Sequence, residues 1–142
     1  MLMNKVILSG LLLTGAGTDL AWRRIPNALI LAGLGCFLAS GGWLLYRGEG
    51  AALAGCLCAG ALGFAIHLIP WLFKAMGAGD VKLALIVGLL TGWTDWLGYL
   101  SVYCVILLAG SGVLLLLGKN KPGAIPLAPF MAASWFLYFG FL

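Results

Sequence analysis

Six apolar runs, parted only by short stretches holding a charge, a glycine or a proline, decide what this chain can become. They fall at about 1–20, 28–46, 51–73, 81–93, 96–117 and 125–142. Most approach the roughly 20 residues that carry an α-helix across a bilayer. Each run is continuously apolar and does not alternate with polar residues, which argues against transmembrane strands. Charged residues make up 8% of the chain and mean hydropathy is +1.12. A soluble domain carries about three times that charge. A water-soluble globule, a disordered tail and a nucleic-acid binder are therefore excluded. The net charge of +4 comes from basic residues scattered singly or in pairs, with no patch that would suit a phosphate backbone. The expectation is an all-α polytopic membrane protein, a bundle of about six transmembrane helices. Residues 1–142 form a single unit with no soluble domain, and its surroundings are the lipid bilayer.

The fourth run is short. Its 13 residues reach only about 20 Å as a helix, against an apolar core of about 30 Å. It must start below the membrane surface or borrow residues from 74–80, which puts Asp80 at or just inside the lipid boundary. With six spans, the loops after the first, third and fifth runs share one side. That side holds Arg23, Arg24, Lys74, Lys82, Lys119 and Lys121, against Lys5 and Arg47 with Glu49 and Asp95 on the other. The basic side faces the cytoplasm, so both termini lie outside a cytoplasmic (inner) membrane. The first run has some look of a signal peptide, with Lys5 before it and Gly15-Ala16-Gly17 near its end. The two arginines after it orient it the other way, as a retained span.

A charge at membrane depth is costly and needs a reason. The chain has four acids. Glu49 and Asp95 fall in outer loops as solvated charges. Asp19 closes the first run and Asp80 opens the fourth, both on the cytoplasmic side. Taken singly, Asp19 has a plain reading as an i,i+4 ion pair with Arg23, and Asp80 as an acid at a helix N-terminus. Taken together, two carboxylates at one depth on different helices can converge across a bundle. At close range they share a proton and titrate as a coupled pair. The ionised member can take a proton from water while the other donates to a carbonyl oxygen, the chemistry of an aspartic protease. Such a pair needs neither metal nor cofactor.

The flanking residues fit around that pair. In Gly77-Ala78-Gly79-Asp80-Val81-Lys82, the glycines allow a tight turn and close approach by another chain, room that an extended substrate beside Asp80 would use. Because the chain holds 22 glycines, the GxGD pattern alone carries moderate weight, which its place at the start of a short span opposite a second membrane aspartate sharpens. Pro26 fits the start of the second helix and Trp22 the interfacial belt. Arg23 and Arg24 read first as topology anchors and second as charges acting on Asp19. Lys82 snorkels to the surface, with substrate holding as its lesser role. His67 alone makes no metal site and reads as a buried, hydrogen-bonded histidine or a polar contact between helices. Pro70 ends or kinks the third helix, and Pro122, Pro126 and Pro129 set the start of the sixth. Cys36, Cys56, Cys58 and Cys104 all lie within apolar runs, with no metal-binding spacing.

Asp19 followed by Arg24-Ile25-Pro26-Asn27, with Gly77-Ala78-Gly79-Asp80-Val81-Lys82 about sixty residues on, resembles the type IV prepilin peptidase family of GxGD membrane aspartyl proteases. The likeness covers nearly the whole chain. It implies cleavage of the basic leader from prepilin or pseudopilin precursors at the cytoplasmic membrane face, usually after a glycine. The motif aspartates map onto Asp19 and Asp80. Gly77, Gly79, Lys82, Arg24, Pro26 and Asn27 would support catalysis or hold the substrate. Larger members of that family add a cytoplasmic domain with paired CxxC motifs and N-methylate the new terminus. No CxxC occurs here, so the likeness is to the small members of tight-adherence pilus systems, and N-methylation is not expected. From a different class, membrane carboxylates also serve small proton- or cation-coupled transporters. Those often show an internal repeat or acids near the bilayer midplane, and this sequence has neither.

Overall fold

The computed structural model describes residues 2–74, 76–116 and 127–140. These residues form six helices: α1 (Leu2–Trp22), α2 (Asn27–Tyr46), α3 (Gly50–Leu72), α4 (Ala78–Thr91), α5 (Trp93–Leu116) and α6 (Ala128–Gly140). No strand occurs among the described residues. Three stretches, Asn27–Tyr46, Gly50–Leu72 and Trp93–Gly112, are long and apolar enough to cross a membrane. Lys119, Lys121, Pro122 and Pro126 lie outside the described residues.

The short helix is the centre of the bundle. Ten of its 14 residues are buried, and it packs against α1, α2, α3 and α5. At about 1.5 Å per residue it is roughly 21 Å long. Enclosure explains how so short a helix persists: its C-terminal end, Leu90 to Gly92, is buried in protein, where neighbouring helices replace the lipid, while its first residue, Ala78, is exposed. Its tightest neighbour is α3. A Cβ on Gly63 would stand 2.9 Å from the Ala84 carbonyl oxygen, and one on Gly60 2.6 Å from the Leu89 side chain. On the other side, a Cβ on Gly88 would land on the Ala59 backbone. Small residues therefore let the two backbones touch, which is how helices associate where lipid is as apolar as any side chain.

Gly92 turns the chain from α4 into α5 in a single residue, with φ of +81°. That left-handed conformation favours glycine. At the same end of the bundle, the Lys5 amine of α1 stands 3.3 Å from Asp95 and 4.2 Å above the Phe139 ring of α6. Asp95 is thus not a loop charge, as its place between two runs suggested. It lies in the first turn of α5, where the helix dipole favours an acid, and it pairs across helices. Glu49 does lie in a connection, ahead of α3, 3.0 Å from Arg47.

Candidate active site

At the opposite end of the bundle the last turn of α1 meets the first turn of α4. Helix α1 runs three residues beyond Asp19 before Arg23 ends it. Arg23 adopts a left-handed φ of +51°, and its N–H donates to the Asp19 carbonyl at 2.9 Å. A non-glycine residue in that conformation costs about 1–2 kcal/mol. Its side chain forms no ion pair with Asp19 within 4.0 Å, so the expected i,i+4 bridge is absent among the described residues. The reason is local: Arg23 has left the helical path, and the guanidinium is exposed while Asp19 is buried.

Asp80 is the third residue of α4. Its Oδ2 accepts the N–H of Gly77, the residue capping the helix, at 3.3 Å. In return the Asp80 N–H donates to the Gly77 carbonyl at 3.2 Å. The helix N-terminus thus holds the carboxylate in one rotamer and offers it the positive end of a dipole. The backbone of Ala128, first residue of α6, lies near the Asp19 carboxylate.

The two carboxylates lie within electrostatic reach of one another. They are 6% and 5% exposed, and both border one open cavity of about 260 Å³. Asp19 Oδ2 and Asp80 Oδ1 are buried without any hydrogen-bond partner. Nearly every buried polar group in a folded protein is paired, so two orphaned oxygens in one cavity mark a site built for something other than stability.

The rim is rich in donors. Arg23, Arg24, Asn27 and Lys82 border the cavity, as do Gly77 and Gly79. The Lys82 amine donates to Asn27 Oδ1 at 3.2 Å, tying α4 to the start of α2. Lys82 is exposed, as a side chain reaching for the surface would be, and has a protein partner there. Pro26 precedes α2 as its capping residue and does not border the cavity. The room beside Gly79 is already filled: a Cβ there would meet Ile25 Cβ at 3.0 Å. The glycine admits the α1–α2 connection, where the sequence suggested space for a substrate. Ile25 and the Ala128 backbone were not legible in advance, since no spacing in the sequence links either to an aspartate.

His67 is buried and hydrogen-bonded, as its place in an apolar run implies. Its Nδ1 is 2.8 Å from the Gly63 carbonyl and its Nε2 3.4 Å from the Tyr103 hydroxyl. Among the described residues no group of three or more potential ligands could hold a metal ion.

Comparison with known proteins decides the family. The family model for type IV leader peptidases matches residues 6–137. The chain belongs to the type IV leader peptidase family. No curated protein and no solved structure matches it. The match takes in all of α2 to α5, both aspartates and the whole rim. The leader peptidase is thus an all-helical membrane protease, with two buried carboxylates opening on one cavity at one end of the bundle.

Proposed function

We propose that this leader peptidase is an aspartic endopeptidase that removes the basic leader from prepilin or pseudopilin precursors at the cytoplasmic membrane face. The supporting observation is the pair of buried, half-unpartnered carboxylates of Asp19 and Asp80 at one cavity. With one proton between them, the ionised carboxylate accepts a proton from water as the oxygen attacks the scissile carbonyl. The protonated one donates to the carbonyl oxygen. Collapse of the tetrahedral intermediate breaks the C–N bond, and the leaving amine takes up the proton drawn from water. Residues 1–142 act as one catalytic core.

The donors of Arg24, Lys82 and Asn27 suit carbonyl oxygens of an extended backbone laid along the rim, while Gly77 and Gly79 shape the wall. The substrate's apolar helix stays in lipid beside the bundle, which leaves the scissile bond near the surface. The excess of basic residues at this end orients it toward the cytoplasm, with both termini on the far side. The test is co-expression with a candidate prepilin in a host lacking such peptidases, read as a size shift on a gel. The wild type is expected to cleave, and Asp19→Asn and Asp80→Asn are expected not to. Cleavage retained in either variant would overturn the catalytic pair.

A further inference from the structure

Apart from the aspartate pair, the charges around the cavity are all positive. The chain holds four acids. Glu49 and Asp95 pair with Arg47 and Lys5 and do not border the cavity. Arg23, Arg24 and Lys82 border it together with Asp19 and Asp80. All three cations are exposed, and among the described residues none of them forms an ion pair. Arg23 leaves the helical path at φ of +51°, its N–H closing the last turn of α1 on the Asp19 carbonyl. That turn brings Arg23 and Arg24, consecutive in the chain, to one cavity. Lys82 uses one of its three N–H donors on Asn27 Oδ1 and keeps the others.

Such a rim is at odds with a basic leader, which brings further cations to it, and like charges in one cleft repel. Hydrolysis removes the conflict at one point. As the C–N bond breaks, the oxygen of water stays on the scissile carbon. Both protons of that water end on the new amine, which becomes an ammonium, and the leader is left with a carboxylate. The aspartate pair regains its single proton. The scissile carbon must lie beside Asp19 and Asp80 to be attacked, so the carboxylate forms inside the cavity that the three cations border. There they face it against one negative charge on the pair. Guanidinium groups suit a carboxylate, because two parallel N–H donors meet its two oxygens.

We infer that Arg23, Arg24 and Lys82 form a carboxylate site that holds the cleaved leader by its new C-terminus. The uncleaved precursor has a neutral amide at that place, so the rim grips the leader more tightly after cleavage than before. The leader is then the product that competes with fresh precursor for the cavity. This rests on the proposed aspartate pair, which fixes where the carboxylate forms, and deepens it by naming the ligand of the rim.

The test uses the full chain purified in detergent and a fluorescently labelled, lysine-rich leader peptide ending in glycine. The peptide is made with a free C-terminal carboxylate and as its amide. Binding is read by anisotropy and needs no cleavage. The acid is expected to bind about tenfold more tightly than the amide, the scale of a charge-assisted hydrogen bond. In Arg23→Gln/Arg24→Gln that preference is expected to fall to about twofold or less, since Lys82 alone is a point charge already engaged with Asn27. Arg24→Gln alone, expected to bring it to about threefold or less, serves if the double variant does not melt like the wild type. Added acid is expected to raise KM for a synthetic prepilin peptide with kcat unchanged. Equal affinity for acid and amide, binding of neither, or a preference that survives in the folded variants would overturn the inference, as would a KM that the acid leaves fixed. Those results lose this inference alone. If Asp80→Asn still cleaves, or the wild type does not, the proposed function is lost, while the binding comparison still reads the rim.

Discussion

The glycine before Asp80 can be tested for whom it makes room. A Cβ added at Gly79 would stand 3.0 Å from Ile25 Cβ, 3.2 Å from Cγ1 and 3.3 Å from Cδ1. Carbon atoms prefer about 3.5–4.0 Å, so Gly79→Ala overlaps by roughly half an ångström or a little more. Overpacking of this kind costs about 1–3 kcal/mol. Ile25 is only partly buried, in the short connection between α1 and α2, and can retreat. The low end applies, about 1 kcal/mol, or about fivefold in turnover if all of it falls on alignment of the site. Retreat of Ile25 drags Arg24 and Asn27 with it, so alignment is where the cost should fall. Ile25→Ala removes two of the three close contacts. The double variant Gly79→Ala/Ile25→Ala is therefore expected to cleave within about twofold of Ile25→Ala alone. The assay is peptide cleavage by purified protein, with a thermal melt as folding control. A folded double variant as slow as Gly79→Ala would rule out Ile25 as the occupant and return that space to the substrate.

Other predictions follow from the packing. Gly88→Ala would set a methyl group on the Ala59 backbone, which cannot swing away as a side chain can. Loss of folded protein from the membrane is expected, at a cost of about 3 kcal/mol or more, and detergent-extractable yield measures it. Lys82→Ala and Asn27→Ala break the same exposed hydrogen bond, so a double-mutant cycle on melting temperature should show coupling of about 1 kcal/mol or less. If the rim holds the substrate, KM rises in both. At the far end, Asp95→Asn removes the partner of Lys5, with both side chains about a third exposed. A loss below about 1 kcal/mol is expected, fading with added salt and leaving kcat untouched.

The two aspartates were legible because acids are so scarce here that only Asp19 and Asp80 could lie at the basic end of the bundle. The six helices were legible from the apolar runs, with the ends of α2 and α3 within one residue, while the starts of α4, α5 and α6 lie three residues from where the runs put them. Asp95 was placed in a loop because a charge was taken to end a run, yet the helix dipole and Lys5 draw it into α5. The brevity of α4 was plain, but its enclosure was not, since a helix apolar on every side looks alike in lipid and in protein. What stayed hidden depends on contacts between helices far apart in the chain. Ile25 against Gly79, Lys82 with Asn27 and His67 with Tyr103 each join residues whose spacing carries no period. Only the packed bundle shows them.

Joint cleavage of a prepilin leader by Asp19 and Asp80 can be read from its product. The most direct measurement reconstitutes the purified chain in lipid vesicles with a prepilin precursor and identifies the product by mass spectrometry. One new N-terminus, at the junction of basic leader and apolar helix, is expected with the wild type. None is expected with Asp19→Asn or Asp80→Asn, although both variants melt like the wild type. Product from either folded variant, or wild-type cleavage elsewhere in the precursor, would contradict it.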